Sequence, residues 1–281
     1  MLRLSGGDAR AVKAYPEGVT PQARTPAEIE SLLAFWRDAG VDACFEDMPV
    51  DRTLVALPPA RTAVLKATAA VAPAPDAHAC AEEAHHAAAA ATTLQALIEA
   101  ATAFDGCGLK RQGARRAVVG AGPDEADLLI IGAAPGPEED QSGQVFDGPA
   151  GRLLDTALAA AGLKDRAWRM NSVFWRPPGD RPAAPEEQVA CLPYVERALA
   201  LLQPKAVLLL GAAPARAVLG ATEPLAALRG QWREWRLSEG GVSAPALVTL
   251  NPAFLLRQPL AKRQAWADLL ALSARLGPPG H

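Results

Sequence analysis

The amino-acid sequence predicts a three-layer α/β/α sandwich with a mostly parallel four-stranded central sheet, on three observations. Residues 128–131 and 205–211 are apolar runs too short for helices, which suits strands buried on both faces. Stretches with apolar residues at helical spacing follow each of them, so strand and helix alternate as they do around a parallel sheet. Between residue 132 and residue 148 lies a loop with four glycines, at the carboxyl edge where such sheets bind ligands.

In chain order, residues 1–57 are expected to form a tail carrying one amphipathic segment. There Thr25, Pro26 and Glu28 make a capping box, and Ile29, Leu32, Leu33 and Trp36 form one stripe before Gly40. So short a helix is marginal alone and needs something to dock on. Residues 58–92 are rich in alanine and proline and are expected to be a linker. Within them His78, Cys80, Glu82, Glu83, His85 and His86 are metal-ligating types, but their spacing matches no tight structural site.

The main domain is expected over residues 93–281. A helix starts at Thr93, with Leu94, Leu97, Ile98 and Ala101 on one face. After the strand and glycine-rich loop, Pro149 suits a first helical turn, and Leu153, Leu154, Ala157 and Leu158 face a core. Residues 168–174 give a strand ending near Asn171, then a proline-rich loop. A helix spans 185–202, a strand 205–211 and a helix 213–219. Residues 231–235 and 245–250 form an outer and an inner strand. The inner one runs into Asn251 and the loop after it. A last helix, 261–276, is expected to turn Trp266, Leu269, Leu270 and Leu272 inward.

Composition narrows the function. No apolar run approaches the roughly 20 residues of a spanning helix, and the first residues lack the apolar centre of a signal peptide, so a cytoplasmic protein away from the membrane is expected. Cysteines 44, 80, 107 and 191 form no CxxC pair and no disulfide framework. Net charge is −3, but residues 1–95 hold 8 Lys/Arg against 12 Asp/Glu, while residues 96–281 hold 20 against 19. The second part is thus near neutral, compatible with a local DNA-binding face. Its only histidine is His281, which excludes serine–histidine hydrolase, HxE deaminase and HExxH protease chemistry. No GxGxxG or Walker sequence supports a dinucleotide or ATP.

Three post-strand loops then meet at one edge if the sheet is parallel. Their residues suit a flat polar ring. Phe146 offers a stacking face, the Asn171 amide can donate and accept at a pyrimidine edge, and the N–H groups near Ala133 and Ala134 can face a carbonyl. Leu255, Leu256 and Arg257 form an apolar wedge with a charge behind it. Blander roles compete: a core aromatic for Phe146, a turn residue for Asn171, and the start of a helix face for the two leucines.

Jointly, GAAPGPEEDQSGQVFDGPAGRLLD, NSVFWRPPGDRPAAPEE and NPAFLLR resemble the motifs of the uracil-DNA glycosylase superfamily, specifically family 4, over about residues 100–275. The resemblance implies that Phe146 stacks on uracil, Asn171 reads its polar edge, and Glu139 helps position the attacking water. It also implies that the loop from Asn251 faces uracil O2 and wedges the duplex. The basic residues Lys110, Arg111, Arg115, Arg116, Arg176, Arg181 and Arg257 would contact phosphates. The partner would be uracil-containing DNA, bound by a monomer, and the chemistry would need no metal.

Two departures bear on activity. The family's first motif carries glutamate where this chain has Ala133, and its last carries histidine where this chain has Asn251. A weaker donor to the leaving anion is expected, and one such donor is typically worth about 10²–10³ in rate. Asp147 also replaces the family's usual valine. The family's four cluster cysteines correspond here to Phe104, Cys107, Trp175 and Cys191, so an iron–sulfur cluster is expected to be absent. Competing readings are a glycosylase homologue that only binds uracil-containing or abasic DNA, and an α/β hydrolase-like enzyme acting on a small nucleoside.

Overall fold

A computed structural model describes residues 77–237 and 240–278. The amphipathic segment at 25–40 and the first part of the expected linker lie outside the described residues.

The sheet has six strands in the order β1-β3-β2-β4-β6-β5: β1 Gly120–Ala121, β2 Leu128–Gly132, β3 Ala167–Asn171, β4 Ala206–Leu210, β5 Trp232–Arg236 and β6 Ser243–Thr249. The four central strands are parallel, as expected, and an antiparallel strand closes each edge. The sheet is therefore larger than the four strands expected. The two-residue β1 carries no periodicity that could reveal it. The outer strand β5 was legible, since its Arg233, Glu234 and Arg236 mark a solvated edge.

Every residue of β2 and of β4 is buried. Successive side chains point to opposite faces, and the core divides accordingly. Leu129, Ile131, Val207 and Leu209 pack with Leu97, Tyr194 and Leu199 on one face; Leu128, Ile130, Leu208 and Leu210 pack with Leu154, Leu158, Leu269 and Leu272 on the other. The longer helices are α1 Ala77–Ala90, α2 Leu94–Ala103, α4 Gly148–Ala160, α5 Pro185–Leu202, α6 Ala212–Leu219 and α9 Lys262–Leu276; α3 Pro137–Ser142, α7 Leu225–Leu228 and α8 Pro252–Arg257 are short. Of the residues expected inward on α9, Leu269 and Leu272 are buried. Trp266 and Leu270 are 38% and 49% exposed, because the buried stripe runs instead through Ala265, Asp268, Leu269, Leu272 and Leu276.

The alanine-rich stretch departs from its reading. Residues 77–90 form a helix, not a linker, and Cys80, Ala84 and Ala88 are buried. Alanine has the highest helix propensity and no bulk to keep a neighbouring helix away, so a stretch resembling a linker by composition packs closely on α5. Arg197 of α5 ties down its end with two hydrogen bonds to the Ala91 carbonyl, of 2.9 and 2.6 Å. Among the described residues, no group of three or more His, Cys, Asp and Glu is placed to hold a metal ion, and no helix is long and apolar enough to cross a membrane.

A chain beginning at residue 93 is therefore expected to be less stable than one beginning at residue 77, by about 1–3 kcal/mol from the apolar groups it leaves exposed. Urea unfolding of the two chains checks this, and equal midpoints would return residues 77–92 to the linker.

Candidate active site

The parallel register aligns Gly132 with Asn171 and Leu210 with Thr249, so the chain leaves β2, β3, β4 and β6 along one edge. Here the glycine-rich loop folds further than expected. It contains α3, with Pro137 in its first turn and Gly143 as its left-handed C-cap, φ 80°. Glu139 of α3 is the organising side chain. One oxygen accepts the Gly136 N–H and the other the Phe146 N–H, both at 2.6 Å. Burial raises its pKa above the usual carboxylate range, opposed by these two N–H donors and by the Asn171 amide.

Phe146 is half-buried with φ 56°, a conformation bulky residues seldom adopt. Three features hold it there. Glu139 takes its N–H. Gly151 passes so close that a Cβ there would overlap the Phe146 carbonyl oxygen. Asp147, noted from the sequence only as a departure from the family's valine, is the N-cap of α4 and accepts the Gly148 N–H at 2.7 Å. A hydrogen bond from Ser142 is the main reason its carboxyl sits below the usual range. Asp followed by a proline-led helix is a recognisable capping pattern, so this role was available from sequence.

Asn171 ends β3 and is 1% exposed; its amide lies beside the Glu139 carboxylate, and its buried Nδ2 makes no hydrogen bond of good geometry among the described residues. Between it and Phe146 lies Gly132. A Cβ added there would stand 2.6 Å from Asn171 Oδ1 and 2.8 Å from Phe146 Cζ, so the ring, the amide and the bare backbone surround one small space. Ala133 and Ala134 follow, both partly buried. Ser172, which sequence reading passed over, fixes this turn by donating its hydroxyl to the Ala133 carbonyl at 2.8 Å.

Asn251 is the N-cap of α8: its Oδ1 accepts the Ala253 N–H at 2.8 Å, and its Nδ2 donates to the Leu210 carbonyl at 3.4 Å. One amide hydrogen remains available to a ligand. The residues of the expected wedge divide between core and surface. Leu255 is buried with Leu250 and Ala265 as the inward residue of α8. Leu256 (42% exposed) and Arg257 face outward, beside Phe254 (38%) and Leu260 (95%).

The expected phosphate contacts also divide. Arg181 is held by both oxygens of Glu187, at 2.9 and 2.6 Å, and Arg176 by Asp180 at 2.8 Å, so each supports the proline-rich loop.

A family-model match decides the family: residues 119–270 match the model described as "Uracil DNA glycosylase superfamily". The chain belongs to that superfamily. Its similar relatives include proteins named Type-4 uracil-DNA glycosylase. That of Pyrobaculum aerophilum is 34% identical over 181 residues, which cover 63% of this chain and 91% of the relative. That of Archaeoglobus fulgidus is 28% identical over 163 residues, covering 57% and 82%, and that of Thermotoga maritima 34% over 142, covering 50% and 71%.

The positions that resemble the family's cluster ligands do not fit a four-cysteine cluster here. Phe104 and Trp175 are buried aromatics with ring centroids 6.5 Å apart, and Tyr194 lies 5.6 Å from Phe104. Cys107 and Cys191 are buried free thiols that hydrogen-bond each other. That bond favours ionisation of Cys107, while burial pushes the Cys191 thiol well up. Two thiols beside two rings offer half the ligands such a cluster takes.

The raised Glu139 pKa fixes a stability trend. A carboxyl whose folded pKa is raised contributes stability that is fully present below the ordinary glutamate range and is lost as pH rises through the folded value. The stability difference between the protein and Glu139→Ala is thus expected to be larger near pH 4 than near pH 7. Urea unfolding at both values measures it, and an unchanged or growing difference would contradict the buried carboxyl.

Proposed function

We infer that this chain is a uracil-DNA glycosylase, which hydrolyses the bond between uracil and deoxyribose in DNA and so begins base-excision repair. The observation that carries the reading is the buried Asn171 amide, whose Nδ2 makes no hydrogen bond of good geometry, beside the Phe146 ring and the bare Gly132 backbone. A buried donor whose hydrogen bonds are left incomplete costs about 1–3 kcal/mol, so it is retained where a ligand completes it.

In this reading the flipped uracil lies on Phe146, and Asn171 meets its polar edge, with the amide donating to O4 and the amide oxygen accepting from N3–H. Gly132 leaves room for the ring, and the Ala133–Ala134 backbone lies against it. The free amide hydrogen of Asn251 donates toward O2. The C1′–N1 bond breaks with its electron pair going to uracil, whose developing charge these donors stabilise. Glu139 stabilises the electron-poor sugar and orients the water whose oxygen bonds to C1′, and the water's proton is released to solvent. Leu256 and Arg257 lie against the duplex beside the gap.

The same reading has the protein act as a monomer and in the cytoplasm. It also has the protein work without an iron–sulfur cluster, because Phe104 and Trp175 occupy ligand positions. Purified protein is expected to be colourless and iron-free; stoichiometric iron with visible absorbance would overturn that part.

The test of the activity is single-turnover excision from an oligonucleotide with one uracil, read by alkaline strand cleavage. Asn171→Ala is expected to lose about 10²–10³ in rate. Asn251→His is expected to gain about tenfold or more by restoring a stronger donor, while losing about 1 kcal/mol of stability with the helix cap. Tight binding of uracil-containing DNA without cleavage would instead leave a binding protein.

A further inference from the structure

A second concave site lies apart from the uracil pocket, between the segment before β1 and the end of α3. Its volume is about 440 Å³, and its walls include Lys110, Arg115, Arg116, Ser142, Gly143 and Trp175. No acidic residue lines it. Lys110 is anchored at one rim by Asp105 at 2.5 Å and by the carbonyls that end α2. Arg116 reaches the Ser142 carbonyl at 3.4 Å, and among the described residues neither Arg115 nor Arg116 has a carboxylate partner. The nearby acid, Asp140, is 4% exposed and turned to the backbone, where it accepts the N–H groups of Arg115 and Arg116 at 2.7 and 3.4 Å. The backbone that carries both guanidinium groups is thus pinned to the helix that carries Glu139.

We propose that this cleft takes one phosphate of the DNA strand that carries the target base, a reading that rests on the proposed function. Two adjacent arginines and a lysine around a concave surface suit a phosphodiester, since the guanidinium fork matches phosphate oxygens. The position is informative as well. Gly143, in the cleft wall, is three residues from Phe146, at most about 10 Å of chain. Phosphates of one strand advance about 3.4 Å each along the helix axis, so the phosphate held here lies within about three nucleotides of the extruded base. Binding in the cleft fixes the register of the strand relative to Phe146, because Asp140 and Glu139 belong to the same helix.

The test uses a duplex with an uncleavable tetrahydrofuran abasic analogue, in which each phosphate within about three nucleotides on either side is replaced in turn by a neutral methylphosphonate. Affinities are measured for the protein and for Arg115→Gln/Arg116→Gln, which changes two exposed side chains and keeps their backbone bonds to Asp140. Lys110 is left intact because it caps α2. One position is expected to weaken the unmodified protein about tenfold and the double variant not at all, and the variant's salt slope is expected to be shallower by about 1. Equal affinities and slopes, or the same loss at every position in both proteins, would overturn the proposal. If inorganic phosphate raises the melting temperature of the protein but not of the variant, while the DNA slopes agree, the cleft is a free-phosphate site and the strand assignment fails. Failure of the functional reading shows separately, as no excision of uracil, because the abasic duplex needs no cleavage.

Discussion

Two backbone N–H groups ten residues apart along the loop and helix, those of Gly136 and Phe146, converge on the Glu139 carboxylate, and the site depends on that convergence. Without it the stretch from 143 to 148 has little to fix its path. With it, Phe146 is held in a left-handed conformation that its own preferences disfavour. The cost of burying the carboxyl and the cost of the strained backbone are borne together. Each is tolerated because sheet, helix and loop all close on one point, which is how a preorganised binding surface is built.

The parallel core explains why the remaining residues arrive there. Strand ends in register place Gly132 beside Asn171, and β4 beside β6 brings Asn251 under the Leu210 carbonyl. Both faces of the sheet are packed with aliphatic side chains, so the ends of its strands are fixed relative to each other before any loop is considered. The chemistry is then a matter of which residue stands just past each end.

Much of this was legible because it rests on short-range rules. Runs such as 205–211 can only be buried strands, and Asn171 stands out as an amide at a strand's end. What was hidden depends on contacts between distant residues. The strand Gly120–Ala121 exists only because β3 pairs with it. The alanine-rich segment reads as a linker until α5 supplies a surface for it. Leu255 and Leu256 are equivalent in sequence, and only the direction in which α8 leaves Asn251 decides which is core and which faces outward. Asp147 is the reverse case: its capping role rests on a local pattern, an aspartate just before a proline-led helix.

The joint where Phe104, Trp175 and Tyr194 meet Cys107 and Cys191 links α2, the loop after β3 and α5. A joint of that kind made from rings is assembled by the same collapse that forms the rest of the interior. Its strength is shared over many weak contacts, with no single bond on which the others wait. These three segments are thereby held by packing that is continuous with the rest of the interior, so loosening any one of them loosens the core that the other two share.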